Sequence, residues 1–512
     1  MKRYIMAWDL GTGGSKSTLY DVEGNCIATS LIPYETHYPA LGWHEQRPMD
    51  WWRATITGTR QILEATGVDK HAIGCCGISG HSLGVVPLDR KGRLLRESTP
   101  IWSDTRPGAQ AQRFFQTIDE SDWYRTTGNG FPPQLYSVFK IMWYRDKEPE
   151  MFKQIDKVVG TKDFINYRLT GRIVTDHSYA SGSGVYDLLG RNYSEKFVAA
   201  SGLPPETFPG IVPSTEVIGE MVAEAAEALG LPRGLKVVAG GVDNSCMALG
   251  ARNTQTGRVY NSLGSSSWIA VSSDKPLLDS RARPYVFAHV IPGLFTSAVS
   301  IFSAGTSFRW VRDQLCQNLA AQARTQKISA YDAMTALAAG SPVGANRLLF
   351  NPSLGGGTAL DESRHIRGAY IGLDLRHSQG DLIRASMEGI ALGLRRALDV
   401  LRNLTHLSDE MVVVGGGSRS ALWRQICADV YNMTIVKSNI DEAAAALGAA
   451  AVAAVGTGLW PDFSQIDEIH KVEEITHPIP HNVEVYDSLL PIFVKAGQCQ
   501  AQIGEMLAGL GL

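Results

Sequence analysis

Two carboxylates stand where apolar strands break into glycines. Asp9 closes the run Tyr4-Ile5-Met6-Ala7-Trp8 and precedes Leu10-Gly11-Thr12-Gly13-Gly14-Ser15. A carboxylate there can hold Mg²⁺ directly or through water, because that ion takes oxygen ligands and is commonly shared with phosphates. Its plainer reading is an Asp that hydrogen-bonds the turn's own backbone. Asp243 ends Val237-Val238-Ala239-Gly240-Gly241-Val242, a buried strand that breaks at two glycines. One well-placed carboxylate can accept the proton of a hydroxyl that attacks a phosphorus atom. The alternative is an Asp that caps the helix 244–250.

Small-residue turns supply the groups a polyphosphate would need. Strand Tyr4–Trp8, the turn through Gly11, Thr12 and Gly13, and strand Lys16–Tyr20 are echoed by strand Arg258–Ser262, the turn through Gly264 and Ser265, and strand Trp268–Val271. Glycines permit close backbone approach and Ser or Thr add hydroxyls, so two such turns facing each other would clamp phosphates. Each alone reads more readily as an ordinary hairpin, and it is the repetition that favours the phosphate reading. Lys16 follows Ser15, so the pattern G-x-x-x-x-G-K-[ST] is absent, and no G-x-G-x-x-G opens a helix. A P-loop NTPase and a dinucleotide-dependent dehydrogenase are both disfavoured. A third glycine turn, Gly415-Gly416-Gly417-Ser418-Arg419-Ser420, follows strand Met411–Val414 and opens a helix through Leu422, Ile426 and Val430. There Gly416, Gly417 and Ser420 offer a nucleotide seat or simply a tight βα connection. His81 and Ser82 after one strand, and Trp102 and Asp104 in a later loop, suit a sugar, which binds planar polar groups beside aromatic faces. His81 by itself reads more readily as structural than as catalytic.

These residues need a rigid frame, and the pattern around them is α/β: short strands alternate with helical periodicity. Ile383, Met387, Ile390, Leu394, Ala397 and Leu401 recur three and four apart, the mark of a helix packed on a sheet. The 512 residues exceed one ordinary core, so at least two domains are expected. The expected division is 1–246, 257–475 and a helical extension 476–512. Lys plus Arg number 48 against 51 Asp plus Glu, for a net charge of -3 without long runs of one sign, which points to neither a nucleic-acid nor a membrane partner. The N-terminus reads as a buried strand and not as a signal peptide. The Ala- and Gly-rich run 443–460 reads as a core helix and not as a membrane span. Seven scattered cysteines with no C-x-x-C pair fit a reduced, cytoplasmic protein. Nothing determines the oligomeric state, and a homodimer stays open.

The chain resembles the FGGY carbohydrate kinases, and within them the xylulose kinases, from Asp9 to about Trp460. Its most specific element is Gly368-Ala369-Tyr370-Ile371-Gly372-Leu373 followed by Asp381-Leu382-Ile383-Arg384-Ala385-Ser386-Met387-Glu388, similar to the family's C-terminal signature. The stretch from Ser137 to Trp143 matches the N-terminal signature loosely. The resemblance implies a two-domain actin-like ATPase fold of the ribonuclease H-like type, with a central interdomain cleft that closes on a sugar and ATP. It implies ATP and Mg²⁺ as cofactors, Asp9 and the turn 11–13 serving metal and phosphate, and Asp243 as catalytic base. It also places Gly264 and Ser265 at the phosphates and Gly416 and Gly417 at the adenosine. D-Xylulose, phosphorylated to D-xylulose 5-phosphate, is the first expected substrate. One departure bears on this: His81-Ser82-Leu83-Gly84 stands where xylulose kinases typically carry Gln-Met-His-Gly at the sugar. Another ketose, a polyol such as erythritol or glycerol, or dihydroxypentanedione therefore remains open. The last is suggested also by Phe287–Gly293 and Phe308-Arg309-Trp310. The same fold serves ATPases that bind protein partners, which is the alternative of a different class.

Overall fold

The computed structural model describes residues 3–510. They form two compact units that are discontinuous in sequence: residues 1–256, 272–297 and 443–470, and residues 257–271, 298–442 and 471–512. The first unit therefore takes in 443–470, which sequence order alone had assigned with 257–475.

In the first unit, strands β1 (Tyr4–Gly11), β2 (Gly14–Asp21), β3 (Cys26–Pro33), β4 (Ile73–Gly80), β5 (Val217–Glu220) and β6 (Lys236–Val238) run in the order β5-β6-β4-β1-β2-β3, and β7 (Gly241–Val242) adds to β4. β1 pairs antiparallel with β2 and parallel with β4. Met6, Trp8, Leu10, Ile78, Trp51 and Phe164 build the core beneath it. Helix α1 (Pro48–Thr66) starts on a proline, whose missing N–H costs nothing in a first turn, and ends on Gly67 at φ 61°.

In the second unit, β8 (Val259–Leu263), β9 (Ser267–Ser273), β10 (Phe295–Ile301), β11 (Glu410–Val414), β12 (Thr434–Ser438) and β13 (Val472–Thr476) run in the order β10-β9-β8-β11-β12-β13. The hairpin β8-β9 with parallel β11 on its other side repeats the arrangement of β1-β2 with β4. That is the physical content of the echo in the sequence.

The helices that matter for the site are α2 (Ser137–Lys147), α3 (Thr161–Thr170), α4 (Asp243–Gly250), α5 (Gly305–Leu315), α6 (Gln379–Leu404), α7 (Ala421–Tyr431), α8 (Ala444–Gly456) and α9 (Pro480–Ala508). α8 is the Ala-rich helix, almost wholly buried. Its small side chains allow unusually close packing: a Cβ at Gly77 on β4 would lie 2.4 Å from Ala449 O, and one at Gly448 would lie 1.9 Å from Cys246 O on α4.

The C-terminal signature proves to be a structural device. Ser378 and Asp381 form a capping box on α6, and Asn346 donates to Asp381 Oδ1 at 2.9 Å. One turn on, Arg384 Nε donates to Glu388 Oε1 at 2.7 Å, and Tyr486 of α9 donates to the same oxygen at 2.7 Å. No disulfide is formed: Cys26 and Cys499 are exposed and the other five thiols are buried. No helix among the described residues is long and apolar enough to cross a membrane.

Candidate active site

Asp9 lies inside β1, not at its end. The strand continues to Gly11, and only Thr12 and Gly13 make the turn, because Gly11 pairs with Gly14. Asp9 is therefore flanked in the sheet by Lys16 on β2 and Ser79 on β4. Ser79 Oγ donates to Asp9 Oδ1 at 2.9 Å. Burial raises the Asp9 pKa, while Ser79 and Lys16 oppose the rise. The turn is pinned from outside. Thr12 O accepts Gln46 Nε2 at 2.7 Å, Thr12 Oγ1 accepts Trp102 Nε1 at 2.9 Å, and Tyr34 donates to Gly11 O. At Gly13, by contrast, the space a Cβ would take is empty to 4 Å, which suits a ligand that must approach backbone. Among the described residues no cluster of three His, Cys, Asp or Glu side chains could enclose a metal. A single carboxylate such as Asp9 nevertheless fits Mg²⁺, which usually keeps water and substrate phosphate among its ligands.

Asp243 opens α4, and the strand before it is interrupted. β6 stops at Val238, Gly240 turns at φ 71°, and β7 resumes beside Ser79 and Gly80. Only glycine fits at 240, because a Cβ there would lie 2.0 Å from Ile78 O. Asp9 and Asp243 thereby converge on the last residues of β4. Asp243 does not cap the helix; Oδ1 accepts the Asn244 backbone N–H at 2.8 Å and its side-chain amide at 3.0 Å. Burial first, and the Asp9 charge second, push its pKa up to about 7.

The backbone polar groups freed by that interruption are taken up by buried side chains. Ala239 O accepts Asn166 Nδ2 at 2.8 Å and Lys162 Nζ at 3.2 Å. Val242 N–H donates to Ser178 Oγ at 2.9 Å, and Ser178 Oγ in turn donates to Asp176 Oδ2 at 2.5 Å. Lys162 is paired with Asp163 at 2.5 Å and Asp176 at 2.9 Å. Sequence reasoning missed this group, which is joined only by the fold.

Of the residues expected at a sugar, His81 follows β4 directly and is 1% exposed. Its ring meets Trp51 edge-on at 5.5 Å, and neither ring nitrogen has a protein partner. Burial lowers its pKa to about 4, so it offers a neutral imidazole. Ser82 is buried beside it. Trp102 is half exposed and tied to Thr12. Asp104 is differently placed: it is fully buried, its oxygens occupied by the Arg106 guanidinium and by His44 N–H at 2.7 Å. Arg106 lies over the Trp43 ring at 3.9 Å.

In the second unit, the carbonyls of Gly264 and Ser265 receive the first N–H groups of α5, from Gly305 at 2.9 Å and from Thr306 at 2.9 Å. Gly415, at φ 91°, leads into a 3₁₀ turn over Gly416–Arg419. At Gly417 a Cβ would lie 2.5 Å from Leu263 Cδ2, so a larger residue would have to displace that side chain. Gly416 faces more open space. Ser420 caps α7 by accepting Trp423 N–H at 3.2 Å.

Comparison with known proteins bears on both units. The model of the FGGY family of carbohydrate kinases, N-terminal domain, matches residues 4–250, and that of the C-terminal domain matches residues 259–457. The chain is 28% identical over 492 residues to a xylulose kinase of Bacillus subtilis, covering 96% of each chain. It is 27% identical over 520 residues to a gluconokinase of the same organism, covering 100% of this chain and 99% of the relative. Among solved structures, the xylulose kinase from Rhodospirillum rubrum superposes with a TM-score of 0.89 at 30% identity, covering 98% of this chain and 100% of that one. The architecture is thus the two-domain actin-like ATPase fold of such kinases.

Proposed function

From the membership of this chain in the FGGY family of carbohydrate kinases, we propose that it transfers the γ-phosphoryl group of ATP to a terminal hydroxyl of D-xylulose, with Asp243 as general base. The observation that carries this reading is the pair of carboxylates at the end of β4, one of them with its pKa at about 7. A base of that pKa is ionised often enough at neutral pH to act, yet basic enough to take a proton as the hydroxyl attacks. The proton passes from the sugar oxygen to the Asp243 carboxylate while the phosphorus–oxygen bond to ADP breaks and that to the sugar forms.

Asp9 is proposed to hold Mg²⁺, which when bound would offset charge on the phosphates. Gly11, Thr12, Gly13 and Lys16 are assigned to phosphate in the first unit, and Gly264 and Ser265 in the second. Gly416, Gly417 and Ser420 are assigned to the adenosine. In this division residues 1–246 supply sugar and first phosphate contacts, residues 257–475 the nucleotide, and 476–512 a supporting helix. His81, Ser82 and Trp102 are assigned to the sugar, with Asp104 holding their loop through Arg106. The alternative of an ATPase for protein partners is set aside by the family membership.

The substitution of His81-Ser82-Leu83-Gly84 for the usual sugar-binding residues favours testing acceptors beyond D-xylulose. ADP release from ATP and Mg²⁺ should be measured with D-xylulose, D-gluconate, erythritol, glycerol and dihydroxypentanedione, against a blank. Stimulation by D-xylulose alone supports the assignment. Stronger stimulation by another compound reassigns the substrate, and none by any would remove the small-sugar reading.

A further inference from the structure

The two loops that carry His81, Ser82, Trp102 and Asp104 are joined underneath by one buried cation. α2 buries every side chain from Ser137 to Tyr144, including Lys140, which is 0% exposed. Lys140 Nζ donates to Leu83 O at 3.0 Å and to Ile101 O at 2.8 Å. One acceptor belongs to each loop. Leu83 is itself strained, at φ 62° in the left-handed region that a branched side chain seldom enters. Such a conformation persists only where surrounding contacts hold it. Those contacts are present: Thr161 Oγ1 donates to His81 O at 2.7 Å, and Tyr179 OH to the same oxygen at 3.1 Å. Gly84 N–H reaches Tyr179 OH at 3.2 Å.

The choice of lysine needs explanation, because an unbranched apolar side chain would fill the space without desolvating a charge. Asp104, the carboxylate that acts on Lys140 electrostatically, spends its oxygens on Arg106 and on His44 N–H. Burial accordingly lowers the Lys140 pKa to about 7. What methionine could not supply is the pair of donated hydrogen bonds.

We infer that Lys140 is a positioning residue of the sugar site, fixing loops 81–84 and 101–104 against each other and so setting affinity for the acceptor and not for ATP. The inference rests on the reading that these loops hold the sugar, and its test separates the two. In Lys140→Met, amide exchange in 82–84 and 102–104 should quicken about tenfold or more while the core strands keep their protection. The melting temperature should shift little, since the relief of a desolvated cation offsets the two buried carbonyls left without a donor. With D-xylulose as acceptor, KM for the sugar should rise about tenfold with KM for ATP unchanged. Lys140→Gln, which keeps two amide hydrogens, should fall between wild type and Lys140→Met in both measurements. Unchanged exchange in the two loops would overturn the inference. So would faster exchange throughout the first unit with a lower melting temperature, which would make Lys140 part of the scaffold only. If the wild-type protein ignores D-xylulose, the substrate assignment fails, and the exchange measurement alone still decides the role of Lys140.

Discussion

Asp243 is held where burial and the neighbouring Asp9 carboxylate both oppose its ionisation, and the consequences are measurable in two ways. With Asp243 in its proposed role as base, the ionised form is the active one, and kcat/KM should rise with pH through about 7 and level off above it. Asp243→Ala should lower kcat by about 10²–10⁴-fold while ATP binding by calorimetry persists. The same shift affects stability with the opposite sense. A carboxyl whose folded-state pKa is raised favours folding while protonated, and this contribution is lost as pH climbs from the ordinary carboxylate range through about 7. Asp243→Asn should therefore melt higher than wild type at pH 8, and the gain should shrink toward pH 4, although turnover is lost. A lower melting temperature at pH 8 would show that the carboxylate is better stabilised than its surroundings suggest. At this scale the sequence was informative. Asp9 and Asp243 stand out in the sequence because each is a carboxylate beside glycines at the edge of an apolar run. Lys140, Lys162 and Ser178 could not be weighed, because the backbone groups they hold lie far along the chain: the Lys140 bonds span 57 and 39 residues, that of Lys162 to Ala239 O spans 77, and that of Ser178 to Val242 N–H spans 64.

The elements position these residues through contacts that tolerate no extra atoms. α4, which begins with Asp243, packs on α8 where Gly448 meets Cys246 O and Gly250 meets Ala444 O, with Cβ clearances of 1.9 and 1.8 Å. The atoms in the way are backbone, so they cannot rotate aside. Gly448→Ala should force the helices apart, lower stability by roughly 1–3 kcal/mol, and reduce kcat, as read by thermal melts and turnover on the same preparation. An unchanged melt would mean that α8 can slide without cost. At Gly415 the constraint is conformational: its φ of 91° and the 2.9 Å approach of a Cβ to Leu263 O exclude other residues. Gly415→Ala should weaken ATP binding more than sugar binding if this turn seats the adenosine. Periodicity identified α6 because a helix buries a repeating stripe, and α8 was legible from its uncharged, Ala-rich composition, which suits a helix buried on every face. Glycine at 448 carried no such signal, since its reason is another helix.

At the scale of the molecule, the chain order and the compact units disagree. Residues 443–470 follow most of the second unit in sequence but complete the first, where α8 lies against β4. A fragment ending at residue 256 would expose the buried face of that sheet. It should show no cooperative melt by circular dichroism, and a fragment that melts cooperatively would show that the sheet can close without α8. The strand, glycine-turn, strand device at each unit's start, the α/β class, and the position of Asp243 where a strand gives way to a helix were determined by the sequence itself, because each depends on neighbours within a few residues. Only the tertiary structure decided that Asp9 sits within its strand between Lys16 and Ser79, that Ser420 caps a helix, that Asp104 is enclosed by Arg106, and which unit owns α8. Those outcomes turn on burial and on partners distant in sequence, and neither is defined until the chain has folded.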